Sequence, residues 1–541
     1  MDWSDYLTFS ANVSRGVTEA HKVYIAGGAL ILLMAWPTLV KLSKEVATGL
    51  LVLLALVSTA NYLRWGPELI SERVDSYDVI HYYLNAKYFD ELGYLDLYPA
   101  CLLADADNGG PFFKKQGNRY MAQDENGHHY ETVAQGIARG RAVRDSKFTP
   151  ERWKQFEHDF LFLQREGTPM GNSLWNDMIQ DHGFNGTPVW TLLARPFAAH
   201  VPVESIKMLG FLDVGLLLLA FGAVFWAYGP VPTLWSIVFF TVSYSLRWPT
   251  VSWVFLRYDY IAGLLIAMAL LKKERYYLAG FFAGWSATLR LFPAFWMWGP
   301  LSKGLAGLVR KQVHRQLLVF ALGWVVVVGI LELGAIVRFG PSTVITHMEN
   351  MSDHNRAEQL SSRRIGLALA LPFRGPWEVR HPPDPGREPC RFTPCRNIET
   401  WRKAEIGEQK PVRYGLALLV MIAMGWGLRN SRDDEAFGFG FIPIFLLTTM
   451  SYYYYIARVT LALVHASDLS KLRNQVGLVM LLGIELFSNW SESSWEGHRV
   501  FHIGYLSWAL AVYAFVMMGM MLWEARLADP SRRSGARTTE A

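Results

Sequence analysis

Long apolar runs alternate with polar stretches along the whole chain. The windows 26–40, 46–62, 208–228, 317–337 and 503–522 carry almost no charge. A helix needs about 20 apolar residues to cross a hydrocarbon core of about 30 Å, so these windows predict membrane-spanning helices, more of them than any soluble fold needs. Residues 1–22, ahead of the first run, are polar and no small-residue cleavage motif follows that run. The pattern therefore predicts insertion by the first span itself and no cleavable signal.

Two further apolar stretches are bounded by basic clusters. Residues 276–301 lie between Lys272, Lys273, Arg275 and the cluster Lys303, Arg310, Lys311, Arg315; residues 436–466 lie between Arg429, Arg432 and Lys471, Arg473. Lys and Arg concentrate in cytoplasmic loops, and Lys41, Lys44 and the C-terminal Arg526, Arg532, Arg533 and Arg537 fit the same side. Each stretch must then enter the membrane and return, as a hairpin of short helices or as a re-entrant segment. The first should bend near Pro293, where a helix breaks most easily, and the second at residues 451–455. The chain then makes about thirteen crossings, with its N-terminus outside and its C-terminus inside.

This threading leaves two polar stretches outside, 65–204 and 339–413. Both are rich in aromatic residues and are expected to fold, so the chain reads as a single membrane domain, 1–541, with two large extracytoplasmic loops. In the first loop, Trp153, Phe156, Phe160 and Leu163 recur at helical spacing behind Thr149 and Pro150. They predict an amphipathic helix lying on the membrane surface. The expected class is an all-α polytopic membrane protein.

Composition supports the pattern. Of 541 residues, 51% are hydrophobic, 14% aromatic and only 18% charged, against about 25% charged in soluble domains. The net charge of +5 adds little, since orientation follows where the Lys and Arg residues fall. Cys390 and Cys395 are close enough to form a disulfide in an oxidising compartment; as a metal site their spacing is weak.

Candidate chemistry begins where the first loop opens. Glu72, Asp75 and Asp78 precede residues with helical periodicity that Gly93 is placed to end. Asp78 would sit at the helix N-cap, where backbone N–H groups and the helix dipole favour a carboxylate. It reads either as a cap alone or as a general base held ionised by those hydrogen bonds, just outside a membrane span. Asp75 and Glu72 compete for that role, and His81 either tunes it or binds phosphate. Arg290 falls inside the apolar stretch 276–301. A charge there is costly unless partnered, so it predicts a lipid phosphate, a structural partner such as Asp259, or snorkelling to the interface. Asp259 is itself a second acid or the partner of an Arg. In the second loop, His347, His354, Arg356, Arg363 and Arg364 form a solvated basic face or hold a phosphate. Tyr454 and its neighbours in 452–455, with Arg458, suit an interfacial tyrosine belt or a lipid headgroup and sugar.

Three segments, taken in order, resemble the GT-C glycosyltransferases, most of all the polyprenyl-phosphate-mannose-dependent glycosyltransferase family 87. The first is Asp78, Tyr82, Ala86, Gly93 and Tyr98. The second is Asn185 to Pro196, with Pro188 and Ala194. The third is Ala279, Gly280 and Gly284 followed by Arg290 and Pro293, behind the basic turn Lys272–Arg275. Arg290 stands where that group usually has Lys, and Arg257-Tyr258 where it usually has Gly-Gln. The resemblance covers roughly residues 78–293. It implies a GT-C-like bundle of about 13 transmembrane helices in the bacterial cytoplasmic (inner) membrane, with an active site on the periplasmic or extracellular face. It also implies an inverting transfer of mannose, another hexose or a pentose from a polyprenyl-phosphate-linked sugar to a lipid, glycan or protein acceptor. The first-loop Asp would be the base, Asp78 ahead of Asp75, and Arg290 would hold the donor phosphate with His354, Arg363 and Arg364. Glu72, His81, Tyr82, Asp259, Tyr454 and Arg458 would complete the pocket.

No cofactor is expected, metal included, although Asp105, Asp107, His128 and His129 form a weak cation pattern. No nucleic-acid partner is expected. There is no Walker loop, G-x-S-x-G elbow or H-E-x-x-H motif. A lipid-linked-saccharide flippase or transporter would show internal repeats, and none is visible. An O-antigen polymerase or ligase would place its large loop late in the chain, where this chain places it early.

Overall fold

The computed structural model describes residues 15–63, 65, 76–110, 119–124, 127–166, 178–246, 255–354, 364–373, 405–494 and 499–527. They form an all-α architecture with two small antiparallel ladders. Among the described residues, six helices are long and apolar enough to cross a membrane: Thr18–Leu42, Lys44–Tyr62, Lys207–Tyr228, Arg315–Phe339, Lys410–Asn430 and His502–Leu527. They display large exposed apolar side chains such as Ile31, Leu218, Leu219, Ile330, Leu333 and Ile422. Such continuous apolar faces suit lipid and would be a liability in water.

In chain order, α1 (Arg15–Leu42) and α2 (Lys44–Tyr62) form the first pair, with Ser43 capping α2 through the Val46 N–H. The periodic stretch after Asp78 is a broken helix: a turn Ser76–Val79, a π-helical turn Ile80–Leu84, and short turns Asn85–Lys87 and Phe89–Leu92. Gly93, at φ +54°, ends it as expected. The first loop continues through α3 (Leu97–Asp107), β1 (Arg119–Asp124) paired with β2 (Gly127–Thr132), α4 (Val133–Lys147), α5 (Pro150–Glu166) and α6 (Pro188–His200). Helix α5 lies where the stripe predicts, but its role differs. Trp153, Phe156, Phe160 and Leu163 are buried in the loop's own core with Tyr88 and Val143. The apolar stripe is satisfied by protein, because the broken helix and α3 supply a packing surface, so the expected membrane-surface placement is corrected.

The second half runs α7 (Lys207–Tyr228), α8 (Pro230–Val242), α9 (Asp259–Lys272), α10 (Tyr276–Leu289), α11 (Trp298–Val309), α12 (Arg315–Phe339) and α13 (Pro341–His354). It continues with β3 (Arg364–Ile365), α14 (Lys410–Gly427), α15 (Asp433–Gly438), α16 (Phe441–Leu447), β4 (Met450–Ser451) and α17 (Val459–Ala466), and closes with α18 (Leu472–Ser494) and α19 (Arg499–Leu527). The stretch 276–301 breaks at Arg290, which is extended (φ −144°, ψ 133°). A 3₁₀ turn, Phe292–Met297, containing Pro293 leads into α11. Helix α10 packs chiefly against α12. The approach is close because both sides carry glycine: a Cβ at Gly280 would lie 1.9 Å from the Phe320 carbonyl oxygen, and one at Gly323 would lie 2.1 Å from that of Tyr277. The stretch 436–466 turns through β4 and a 3₁₀ segment, Tyr452–Arg458, and α15 packs back on α17.

Two hydrophobic cores result. One joins the long helices, and the other lies within the first loop but reaches Phe255 and Leu289 at the foot of α9 and the end of α10.

Candidate functional site

The seam between the two cores collects helix ends. The 3₁₀ turn Tyr244–Leu246 after α8, residues 255–258 before α9, the Arg290 break and the 3₁₀ segment Tyr452–Arg458 meet there. They surround a small pocket, partly open to solvent, lined by Arg257, Arg290, Tyr82, Tyr260, Tyr453 and Tyr454 among others. Backbone without regular hydrogen bonding is tolerated at membrane depth where it is buried in protein or lines a cavity, and this pocket supplies that setting.

The depth is set by Asp213. This buried carboxylate on α7 accepts the backbone N–H of Arg257 (2.9 and 3.0 Å) and of Tyr258 (2.8 Å). Asp213 lies nearly two turns inside α7, so α9 starts about 9 Å below the end of its neighbour. At 14 residues α9 is about 21 Å long, too short to span a bilayer alone. The polar groups at its foot are therefore recessed.

Asp78 is buried, 4% exposed, in the first turn of its helix and not at the N-cap. Its two carboxylate oxygens accept from Nη1 of Arg257, each at 2.9 Å. The Arg257 guanidinium in turn lies over the Tyr453 ring, 4.6 Å from its centroid. Burial pushes the Asp78 carboxyl above the usual carboxylate range, and Arg257, His81 and Arg290 offset only part of that rise. His81 is buried and shares a 2.7 Å hydrogen bond with the Tyr98 hydroxyl, so Tyr98 orients it beside Asp78.

Arg290 caps the end of α10. Its Nη1 donates to the Leu289 carbonyl at 2.9 Å, and its guanidinium lies over the rings of Tyr82 (5.4 Å) and Trp190 (5.6 Å). Among the described residues it forms no ion pair. Asp259 is near enough to act on it electrostatically, but the carboxylate that an arginine grips here is Asp78, and the arginine is Arg257. Tyr82 donates to Asn185 Oδ1 at 2.8 Å. Tyr454 packs on Phe292 and Tyr453. Thr187 ties the walls together: its hydroxyl accepts the Trp190 N–H at 2.9 Å, as an N-cap does, and donates to the Thr288 carbonyl at 2.6 Å.

The remaining sequence candidates fall elsewhere. Arg458 lies one layer behind the pocket, fully buried, paired with Glu485 at 2.8 Å and hydrogen-bonded to the pocket residue Ser245 at 3.2 Å. Arg364 is buried and donates to the Thr449 carbonyl at 3.2 Å, within electrostatic reach of Tyr453 and Tyr454. Glu72, Asp75, Arg356, Arg363, Cys390, Cys395 and the side chain of His354 lie outside the described residues. The weak cation pattern disperses: Asp107 pairs with Arg144, His129 with Glu131, and His128 with Asp353, while Asp105 accepts from Gln164.

His347 on α13 is 2% exposed, and neither ring nitrogen has a hydrogen-bond partner among the described residues. It lies against the Tyr94 ring, and burial with the nearby Arg290 charge lowers its pKa to about 4. Tyr453 belongs to the tyrosine run 452–455 that the sequence singles out, whereas nothing in the sequence assigns a role to Arg257, Asp213, Tyr260 or Trp190. Asp213 carried a visible signal, a carboxylate within an apolar run; the others read as ordinary aromatics or as an arginine at the foot of a span. Comparison with protein-family models, with curated proteins and with solved structures finds no match for this chain.

Proposed function

We propose that this chain is a GT-C-type membrane glycosyltransferase that moves a sugar from a polyprenyl-phosphate donor to an acceptor hydroxyl. The observation that carries the reading is the recessed pocket lined by Arg257, Arg290 and tyrosines, with the Asp78 carboxylate held against it by Arg257. Tyr82, Arg290 and Tyr454, three candidates of the sequence pattern, line it, and Asp78, a fourth, is bound to its Arg257. In the proposed reaction, Asp78 takes the proton of the acceptor hydroxyl as its oxygen attacks the anomeric carbon. The bond from that carbon to the phosphate oxygen breaks, and the leaving phosphate keeps the electron pair. Arg290, positively charged and facing the pocket, stabilises that phosphate, which guanidinium groups bind in bidentate fashion. Attack opposite to departure inverts the anomeric centre. Mannose is the donor sugar the resemblance favours.

The same reading has about thirteen crossings, the first and second loops outside, and the pocket opening to the periplasmic or extracellular face of a bacterial cytoplasmic membrane. The test uses the full chain in liposomes with radiolabelled polyprenyl-phosphate sugar. Asp78→Asn should reduce transfer at least about a hundredfold, and Arg290→Gln should weaken donor binding about tenfold or more. Undiminished transfer by Asp78→Asn, or donor translocation without transfer by the unaltered chain, would overturn the reading.

A further inference from the structure

Arg257 has a second opportunity in this pocket. Its guanidinium holds both oxygens of Asp78 at 2.9 Å yet also lines the cavity that Arg290 lines. The backbone on which it sits is pinned by Asp213, and one of its faces rests on Tyr453. The side chain is thus held between a carboxylate and an open cavity, on a fixed root.

Charge accounting sharpens this. Arg257 and Arg290 face the carboxylates Asp78 and Asp259, and a third carboxylate, Asp213, is held by the backbone N–H groups of Arg257 and Tyr258. His81, Tyr82, Tyr453 and Tyr454 are the other titratable groups around the pair, and the tyrosines stay neutral at ordinary pH. A sugar phosphodiester brings one negative charge. When its sugar leaves, the phosphomonoester that remains gains a second, at the moment Asp78 gains a proton and loses its own. The cation that Asp78 no longer needs is the one the departing phosphate lacks.

Resting on the functional reading above, we propose that Arg257 is a shared counter-ion. It is bound to ionised Asp78 before transfer and passes to the leaving phosphate as Asp78 takes the acceptor proton. The bookkeeping balances: the acceptor O–H proton ends on Asp78, the electron pair of the broken C–O bond ends on the phosphate, and the total charge of site and substrates is unchanged. Arg257 couples base protonation to leaving-group departure, so neither buried charge is left alone.

The proposal predicts product affinity in a form that does not depend on turnover. Asp78→Asn mimics the protonated base and releases Arg257, so it should bind a polyprenyl phosphate lacking sugar about tenfold more tightly than the unaltered chain, in detergent at pH 7.5. Asp78→Asn/Arg257→Gln removes both charges together, leaves no unpaired ion, and should lose that gain. Arg257→Lys keeps the charge and should retain part of it. A merely structural Arg257 would leave the Asp78→Asn variant with unchanged affinity, or leave the gain intact in the double variant; either result overturns the proposal. If the unaltered chain transfers sugar while those affinities fail to move, the shared-ion role alone falls. If it neither binds the phosphate nor transfers sugar, the functional reading falls and the shared-ion role with it.

Discussion

At the scale of single residues, the groups beside the pocket are held by specific partners. Asp78 is gripped by Arg257, and His81 beside it is held by Tyr98. His347 is the exception. It is buried without a hydrogen-bond partner among the described residues and kept neutral, its pKa lowered to about 4 from an ordinary value near 6.5. The sign follows from linkage: the unfolded chain binds a proton here that the folded chain refuses, so stability rises with pH. The contribution is fully present above about pH 6.5 and is lost as pH falls toward the lowered value. Melting of the purified protein in detergent should therefore fall between pH 7 and pH 5. His347→Phe should flatten that dependence, and a curve with the same slope in the variant would refute the assignment.

At the scale of elements, function depends on where helices stop. Helix α10 ends at Leu289 and turns Arg290 toward the pocket, and its position is set by packing on α12 through Gly280 and Gly323. In the sequence Gly280 carries only a family likeness and Gly323 no signal; their physical task is to admit the neighbouring backbone. Gly280→Val would drive a side chain into the Phe320 carbonyl. It should destabilise the protein by about 2 kcal/mol or more, as overpacking does, lowering its melting temperature by a few degrees and its donor affinity along with it. Gly329, on α12 with open space where its Cβ would stand, is the control: Gly329→Ala should change neither. A break was legible because basic clusters on both flanks of an apolar stretch predict that it returns. Its location at Arg290, just ahead of the proline, was not, since hydrogen bonds from other segments decide which residue leaves the helix.

At the scale of the molecule, buried ion pairs bind distant segments behind the pocket. Arg458, at the end of the 3₁₀ segment, pairs with Glu485 on α18, which also accepts the backbone N–H of Tyr244 at 2.7 Å. One carboxylate therefore fixes two of the walls. Glu485→Ala would leave a fully buried arginine unpaired and should cost about 3–5 kcal/mol. Replacing both partners, Glu485→Leu with Arg458→Met, should recover much of that loss. Detergent melting curves of the two variants make the comparison, and equal losses would show that the pair does not carry the stability.

The sequence by itself determined the helical membrane class, and it marked out the apolar stretches 276–301 and 436–466, the acidic residues at the opening of 65–204, and the candidates Asp78, Tyr82, Arg290 and Tyr454. Each of these rests on local patterns: runs of apolar residues, basic clusters, and spacing along one segment. Only the tertiary structure decided that Asp78 belongs to Arg257, 179 residues away along the chain, that Asp213 sets the depth of the pocket, and that the stripe on α5 faces a protein core. Partner choice across such separations is made by packing, and no spacing rule within a segment records it.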